Sequence, residues 1–214
     1  RRVLFRSLNE SAFKDWKKMS SPAKILPVTL PEADRPTQLV YGPMQSRRFG
    51  RSLGINVLSE KEKVCSYNCP YCDLGPTTLR MTHIRSLSQF PTIETVDTKL
   101  RQYLAKVDLT EPPFDAMTIS GNGDPLLHPA FPQIAEKIVE LRNEFVPSTP
   151  IYVLTNGSAT ENKKIVSAVN LFDRVFVKFD AGNNETLKTI NDPLVRTSIT
   201  KLSFYLKKVK NLSA

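Results

Sequence analysis

The chain has 214 residues, 40% of them hydrophobic and 8% aromatic, enough for one domain with a sizeable core. Thirty basic residues against 21 acidic ones give a net charge of +9, which favours a polyanionic partner such as RNA. No apolar run approaches the ~20 residues that cross a bilayer and no signal peptide is recognisable, so no membrane partner is expected.

From the N-terminus, residues 1–40 read as an extension. Arg2–Ser7, RVLFRS, match the translated end of a common sequencing adaptor, so residues 1–7 are expected to be artefactual. Glu10–Met19 has the pattern of a short amphipathic helix through Phe13 and Trp16. Pro22, Pro27, Pro31, Pro36 and Pro43 then predict an extended arm up to Pro43. Leu53–Leu58 reads as a buried strand. Arg47, Arg48 and Arg51 before it are either a solvated basic turn or a contact to a phosphate or to the loop that follows.

That loop, CSYNCPYC, holds all three cysteines, Cys65, Cys69 and Cys72, spaced CxxxCxxC. Three is odd and the spacing is too short for a useful staple, which argues against a disulfide. The thiols have to be reduced, and a cytoplasmic location follows. Three thiolates on one loop can hold three corners of an iron–sulfur cube, which normally takes four, leaving one iron open. Zinc is the rival, with Cys₃His ligation completed by His83. In that case the protein is a zinc-stabilised nucleic-acid-binding module without catalysis.

Beyond an irregular stretch, Asp73–Pro91, a helix is predicted over about 92–107, with Val96, Leu100, Tyr103, Leu104 and Val107 on one face. A strand, Ala116–Ser120, leads into GNGDP, Gly121 to Pro125. Its glycines allow close backbone approach to a ligand, and no GK(S/T) follows, so it is no phosphate-binding P-loop. A plain turn capped by Asp124 is the simpler reading. His128 is expected as a cap or core contact.

Further helices are expected over about 130–145, 160–169 and 197–211, and strands over 151–155 and 175–179. Asn156 after the third strand suits a turn. Lys178 and Asp180 share one face of the last strand, where burial requires pairing or function. Alternating strands and helices predict an α/β fold with a parallel sheet. The chemical residues all fall after strand ends, the active face of β/α barrels.

The cysteine spacing, with aromatic Tyr71 before the last cysteine, resembles the signature of the radical S-adenosylmethionine (SAM) superfamily, CxxxCxΦC with Φ aromatic. The likeness runs from about Tyr41 to about Pro193. GPMQSRRFGRSLGIN followed by CSYNCPYCDLGPTT resembles the small iron–sulfur oxidoreductases grouped with the tRNA wyosine-base synthases. The synthases proper differ around their cysteines, so their activity does not carry over.

The resemblance implies a [4Fe-4S] cluster on Cys65, Cys69 and Cys72. SAM is chelated on the open iron and cleaved reductively to a 5′-deoxyadenosyl radical. An electron donor such as flavodoxin or ferredoxin is implied as well. The substrate is unidentified: RNA, a small metabolite or a glycyl residue of a partner protein. Tyr71 would shield the cluster and meet the adenine through its backbone. Gly121, Asn122, Gly123 and Asp124 would hold the methionine end, in a variant of the family's GxGEP with Asp in place of Glu. Asn156 would face the ribose, and Lys178 and Asp180 the SAM pocket. The implied architecture is a partial (β/α)6 TIM-like barrel over residues 41–214. About four units are recognisable here, so a C-terminal truncation is expected.

Overall fold

The computed structural model describes residues 38–79, 90–108 and 110–213. The expected helix at Glu10–Met19, most of the proline-rich arm and His83 lie outside them. Six strands form one sheet in chain order among the described residues: β1 (Val40–Ser46), β2 (Gly50–Ile55), β3 (Ala116–Ile119), β4 (Ile151–Thr155), β5 (Arg174–Val177) and β6 (Leu212–Ser213). β1 runs antiparallel to β2 and every later neighbour is parallel. The helices are α1 (Ile93–Leu104), α2 (Phe131–Phe145), α3 (Lys163–Val169), α4 (Asn184–Asn191) and α5 (Ile199–Leu206). The fold is α/β with a mixed sheet, and β1 and β6 stand at its edges.

Side chains alternate across the pleat. Leu53, Ile55, Met117, Ile119, Ile151, Val153, Val175 and Val177 share one core with Val96, Leu100 and Leu104 of α1 and Phe131, Ile134, Ile138 and Leu141 of α2. The other face carries polar and aromatic groups. Ser52 meets Thr118 at 2.6 Å, and the Tyr41 hydroxyl meets Ser120 at 2.9 Å. Gly54 leaves room for Tyr41: a Cβ there would lie 2.2 Å from the tyrosine ring. Phe49, in the β1–β2 turn, covers Tyr152 and Phe176, with ring centroids at 5.0 and 4.8 Å.

Several expected boundaries shift for local reasons. The arm expected up to Pro43 ends in strand β1. An edge strand tolerates a proline that cannot donate to the ladder, and the register slips between Tyr41 and Met44. β2 stops at Ile55 because Asn56 turns its side chain back to accept from the Leu58 amide. The helix expected from Thr160 starts at Lys163, capped by Asn162, whose side chain accepts from the Lys164 amide. The helix expected over 197–211 stops at Leu206. Asn170 accepts from the Lys210 amide, and the chain passes into β6.

His128 is a core contact, as the sequence suggests. Its Nδ1 accepts from the Ala130 amide at 3.0 Å, so Nε2 carries the proton and donates to the Pro91 carbonyl, also at 3.0 Å. Phe90 packs edge-on at 5.2 Å. Burial holds the imidazole pKa below its usual 6.5, against the opposing pull of the Pro91 carbonyl. Below pH 6.5 the unfolded chain therefore binds a proton that the folded chain refuses, so stability falls as pH drops. Urea midpoints should decline for the wild type from pH 6.5 downward and change less for His128→Gln. Parallel profiles for the two proteins would contradict this assignment.

Candidate active site

The residues that follow β2, β3, β4 and β5 meet at the C-terminal edge of the sheet, where ligand sites of parallel sheets form. They surround a cavity of about 490 Å³ lined by Cys65, Cys69, Cys72, Gly123, Asp124, Asn156, Lys178 and Asp180. Of the residues proposed from the sequence, Tyr71, Gly121 and Asn122 are not among those that line it.

The cysteine loop is held from two sides. Toward β3, the Val64 amide donates to Asn122 O at 2.8 Å, and the Asp124 amide donates to Val64 O at 3.0 Å. Gly121 packs as closely on Asn56, where a Cβ would fall 2.2 Å from the side-chain oxygen. The Asn122 side-chain amide donates to Ser59 O at 2.9 Å. Toward α4, the Asn68 amide donates to Asn191 O and Asp192 O at 3.2 and 3.0 Å, and Leu194 N donates to Ser66 O at 2.8 Å. The loop closes on itself through residues read above as merely irregular. Thr77 Oγ1 donates to Tyr67 O at 2.6 Å, and the Leu79 amide donates to Lys63 O at 3.0 Å.

Asp124 is both cap and cavity wall. Its carboxylate accepts from Thr155 Oγ1 at 2.9 Å, from the Asn156 amide at 3.0 Å and from the Leu126 amide at 3.1 Å. It thereby ties the β3 loop to the end of β4. Burial pushes its carboxyl pKa up, and those three hydrogen bonds oppose the shift. Asn156 turns toward the cysteine loop: its side-chain amide donates to Ser66 Oγ at 2.9 Å and lies 3.6 Å from Cys65 Sγ. Burial pushes the Cys65 thiol up to about 12, and nearby Asp124 adds to this. A strong positive centre would be needed to draw a thiolate from it.

Lys178 and Asp180 do not pair with each other. The Lys178 ammonium sits 4.2 Å from the Tyr71 ring centroid. Asp180 accepts from the Tyr71 hydroxyl and, at 3.0 Å, from Asn191 Nδ2. Burial, then the Asp180 contact, raises the Tyr71 pKa. Of the arginines ahead of the loop, Arg48 lines the cavity. Arg51 instead pairs with Asp115 at 2.9 Å, at the opposite end of β2.

Three participants escaped the sequence reading. Asn191, 2% exposed, bonds Tyr71 and Asp180 and lies 3.5 Å from Cys69 Sγ. Lys63, also 2% exposed, donates from Nζ to Gly75 O at 2.6 Å. Tyr67 lines the cavity with a hydroxyl that has no partner. Tyr67 could have been found from its place inside the cysteine motif; the other two carry no signal in the chain.

The donor set suits a group wider than one ion. The three thiols line a common cavity, yet among the described residues no three His, Cys, Asp or Glu side chains close on a single point. Thiolates are the donors that an iron–sulfur cluster takes, and these three would hold it.

A family model described as the radical SAM superfamily matches residues 63–207, a span that includes all three cysteines, GNGDP, Asn156 and Lys178. The chain belongs to the radical SAM superfamily. Members of that superfamily are enzymes that work on SAM, typically with a [4Fe-4S] cluster.

This radical SAM chain is similar to a UPF0026 protein of Helicobacter pylori, 32% identical over 155 residues, 72% of this chain and 46% of that one. A UPF0026 protein of Synechocystis is 33% identical over 163 residues, 76% of this chain and 56% of that one. A protein of Brachyspira hyodysenteriae named GTPase Obg is 31% identical over 189 residues, 88% of this chain and 26% of that one. The chain thus spans about half the length of the UPF0026 relatives and about a quarter of the third. Among the described residues no helix is long and apolar enough to cross a membrane.

Proposed function

We propose that this protein cleaves SAM reductively at a [4Fe-4S] cluster held by Cys65, Cys69 and Cys72, and directs the resulting radical at a substrate. The observation that carries this reading is the meeting of the three thiols with Gly123, Asp124 and Asn156 around one cavity at the strand ends. When bound, the cluster would supply one electron to the sulfonium of SAM, whose C–S bond would break to leave methionine and a 5′-deoxyadenosyl radical.

The protein's part is to bind, orient and exclude water. Gly123 and Asp124 receive the methionine end of SAM. Asp124 does so as a wall that Thr155 and the Asn156 and Leu126 amides hold still. Lys178, seated over the Tyr71 ring, closes the side toward the adenine. Asn156 braces the loop at Cys65 and Ser66 while facing the ribose. A soluble donor of the flavodoxin or ferredoxin type supplies the electron, and the cytoplasm is the matching compartment. The six-unit barrel and the grouping with wyosine-related enzymes belong to this same reading. They rest on the motif resemblance. The net charge of +9 favours RNA as substrate, with affinity that falls steeply with salt.

Anaerobic reconstitution followed by electron paramagnetic resonance tests the core of the reading. The reduced protein should show a [4Fe-4S]⁺ signal whose shape changes when SAM is added. Zinc uptake without iron or sulfide would refute the reading and leave a binding module.

A further inference from the structure

Among the described residues, Tyr67 carries a buried hydroxyl to which neither the fold nor the proposed function gives a partner. It is 2% exposed and its ring packs in the main core. Its hydroxyl is enclosed and has no hydrogen-bond partner. Buried atoms of Asp97 and Arg142 also lack a hydrogen bond, but each belongs to an ion pair, with Arg101 at 3.5 Å and Asp173 at 3.6 Å. Tyr67 has no such compensation.

An unmade hydrogen bond on a buried donor costs the full desolvation of that donor, whereas phenylalanine would fill the same space without that cost. The backbone cannot swing the ring elsewhere. Tyr67 O accepts from Thr77 at 2.6 Å, and Tyr67 bridges to Pro193 on the far side. Tyr67 therefore stays among the residues that line the cavity, and its enclosed hydroxyl lies close enough to Asp124, Cys69 and Cys65 for their charges to bear on it. A neutral phenol offers one proton to an acceptor, and the acceptor has to arrive with whatever fills the cavity.

We propose that the Tyr67 hydroxyl donates a hydrogen bond to a sulfur of the iron–sulfur group seated on Cys65, Cys69 and Cys72, and thereby raises its reduction potential. This rests on the function proposed above. A hydrogen bond to a cluster sulfur stabilises the reduced form, which carries more negative charge, so the potential rises. Tyr67 is a positioning and tuning residue that makes no contact with the bond being broken.

Tyr67→Phe in the full chain separates this role from plain packing. The apoprotein should melt at the wild-type temperature or above it, because a partnerless hydroxyl has been removed. The reconstituted variant should show a more negative midpoint potential in a redox titration followed by paramagnetic resonance, and should lose iron faster to a chelator. A variant that loads fully and keeps the wild-type potential overturns this inference alone, as does an apoprotein destabilised as much as the loaded one. A shift that appears only with SAM present overturns it too, by placing the acceptor on SAM. Wild-type protein that takes up no iron and sulfide overturns the underlying function, and this inference with it.

Discussion

Cys69→Ala should leave the fold standing and empty the site. The Cys69 thiol makes two long contacts, to the Asn191 carbonyl and side-chain amide, both at 3.5 Å. Losing these should lower stability by about 1 kcal/mol, in the range of ordinary substitutions. The loop backbone has its own anchors at Val64, Asn68 and Thr77, so the apoprotein should melt within a few degrees of wild type. Cluster retention should fall far more. Removing a partner one shell out from a metal typically costs about 10–100-fold in affinity, and Cys69 would be a direct ligand, one of only three. Iron and sulfide analysis after anaerobic reconstitution gives the comparison. SAM cleavage should drop by at least about a thousandfold, because the cofactor carries the chemistry. Wild-type iron content in Cys69→Ala would remove the cysteine assignment.

The parts of this fold that the sequence made legible are those with a repeating physical signal. Val96, Leu100 and Leu104 mark α1 because one helix face has to be apolar, and all three are fully buried. β4 was found at its observed limits because a short apolar run between Pro150 and Gly157 suits a strand buried under helices. β1 was hidden by Pro43 in its middle. α4 buries only Leu187 and Asn191, too few for a periodic pattern, and β6 is two residues long. The thiols and the glycine loop were legible because their chemistry sits in contiguous residues. The brace at Asn191 was not: it stands 122 positions from Cys69, and only the parallel topology brings α4 back beside the cysteine loop. Lys63 was hidden for a different reason. Lysine is ordinarily a surface residue, and nothing in the sequence announces that Gly75 O will hold its ammonium inside.

Gly123→Ala should be among the most damaging single-methyl additions in the molecule. Gly123 has φ of +132°, a region that side chains disfavour, and an added Cβ would fall 1.8 Å from Val64 O. That oxygen cannot step aside cheaply. Val64 is fully buried, its carbonyl accepts from the Asp124 amide, and its own amide donates to Asn122. Relief of the clash has to break this bridge, and Cys65 moves with Val64. Summing backbone strain, one or two lost hydrogen bonds and local repacking gives about 3–5 kcal/mol. At roughly 2–4 °C per kcal/mol for a chain of this size, the melting temperature should fall by about 6–20 °C. Gly182→Ala is the control, since nothing lies within 4 Å of a Cβ there, and it should melt close to wild type. Cys65 should also become more reactive to an alkylating agent in folded Gly123→Ala, because it moves with Val64 out of the desolvated position that keeps its thiol protonated. A variant as stable as wild type, with Cys65 still protected, would mean that the strand-end loops do not hold the cysteine loop in place. The cluster would then have to be positioned by the cysteine loop alone.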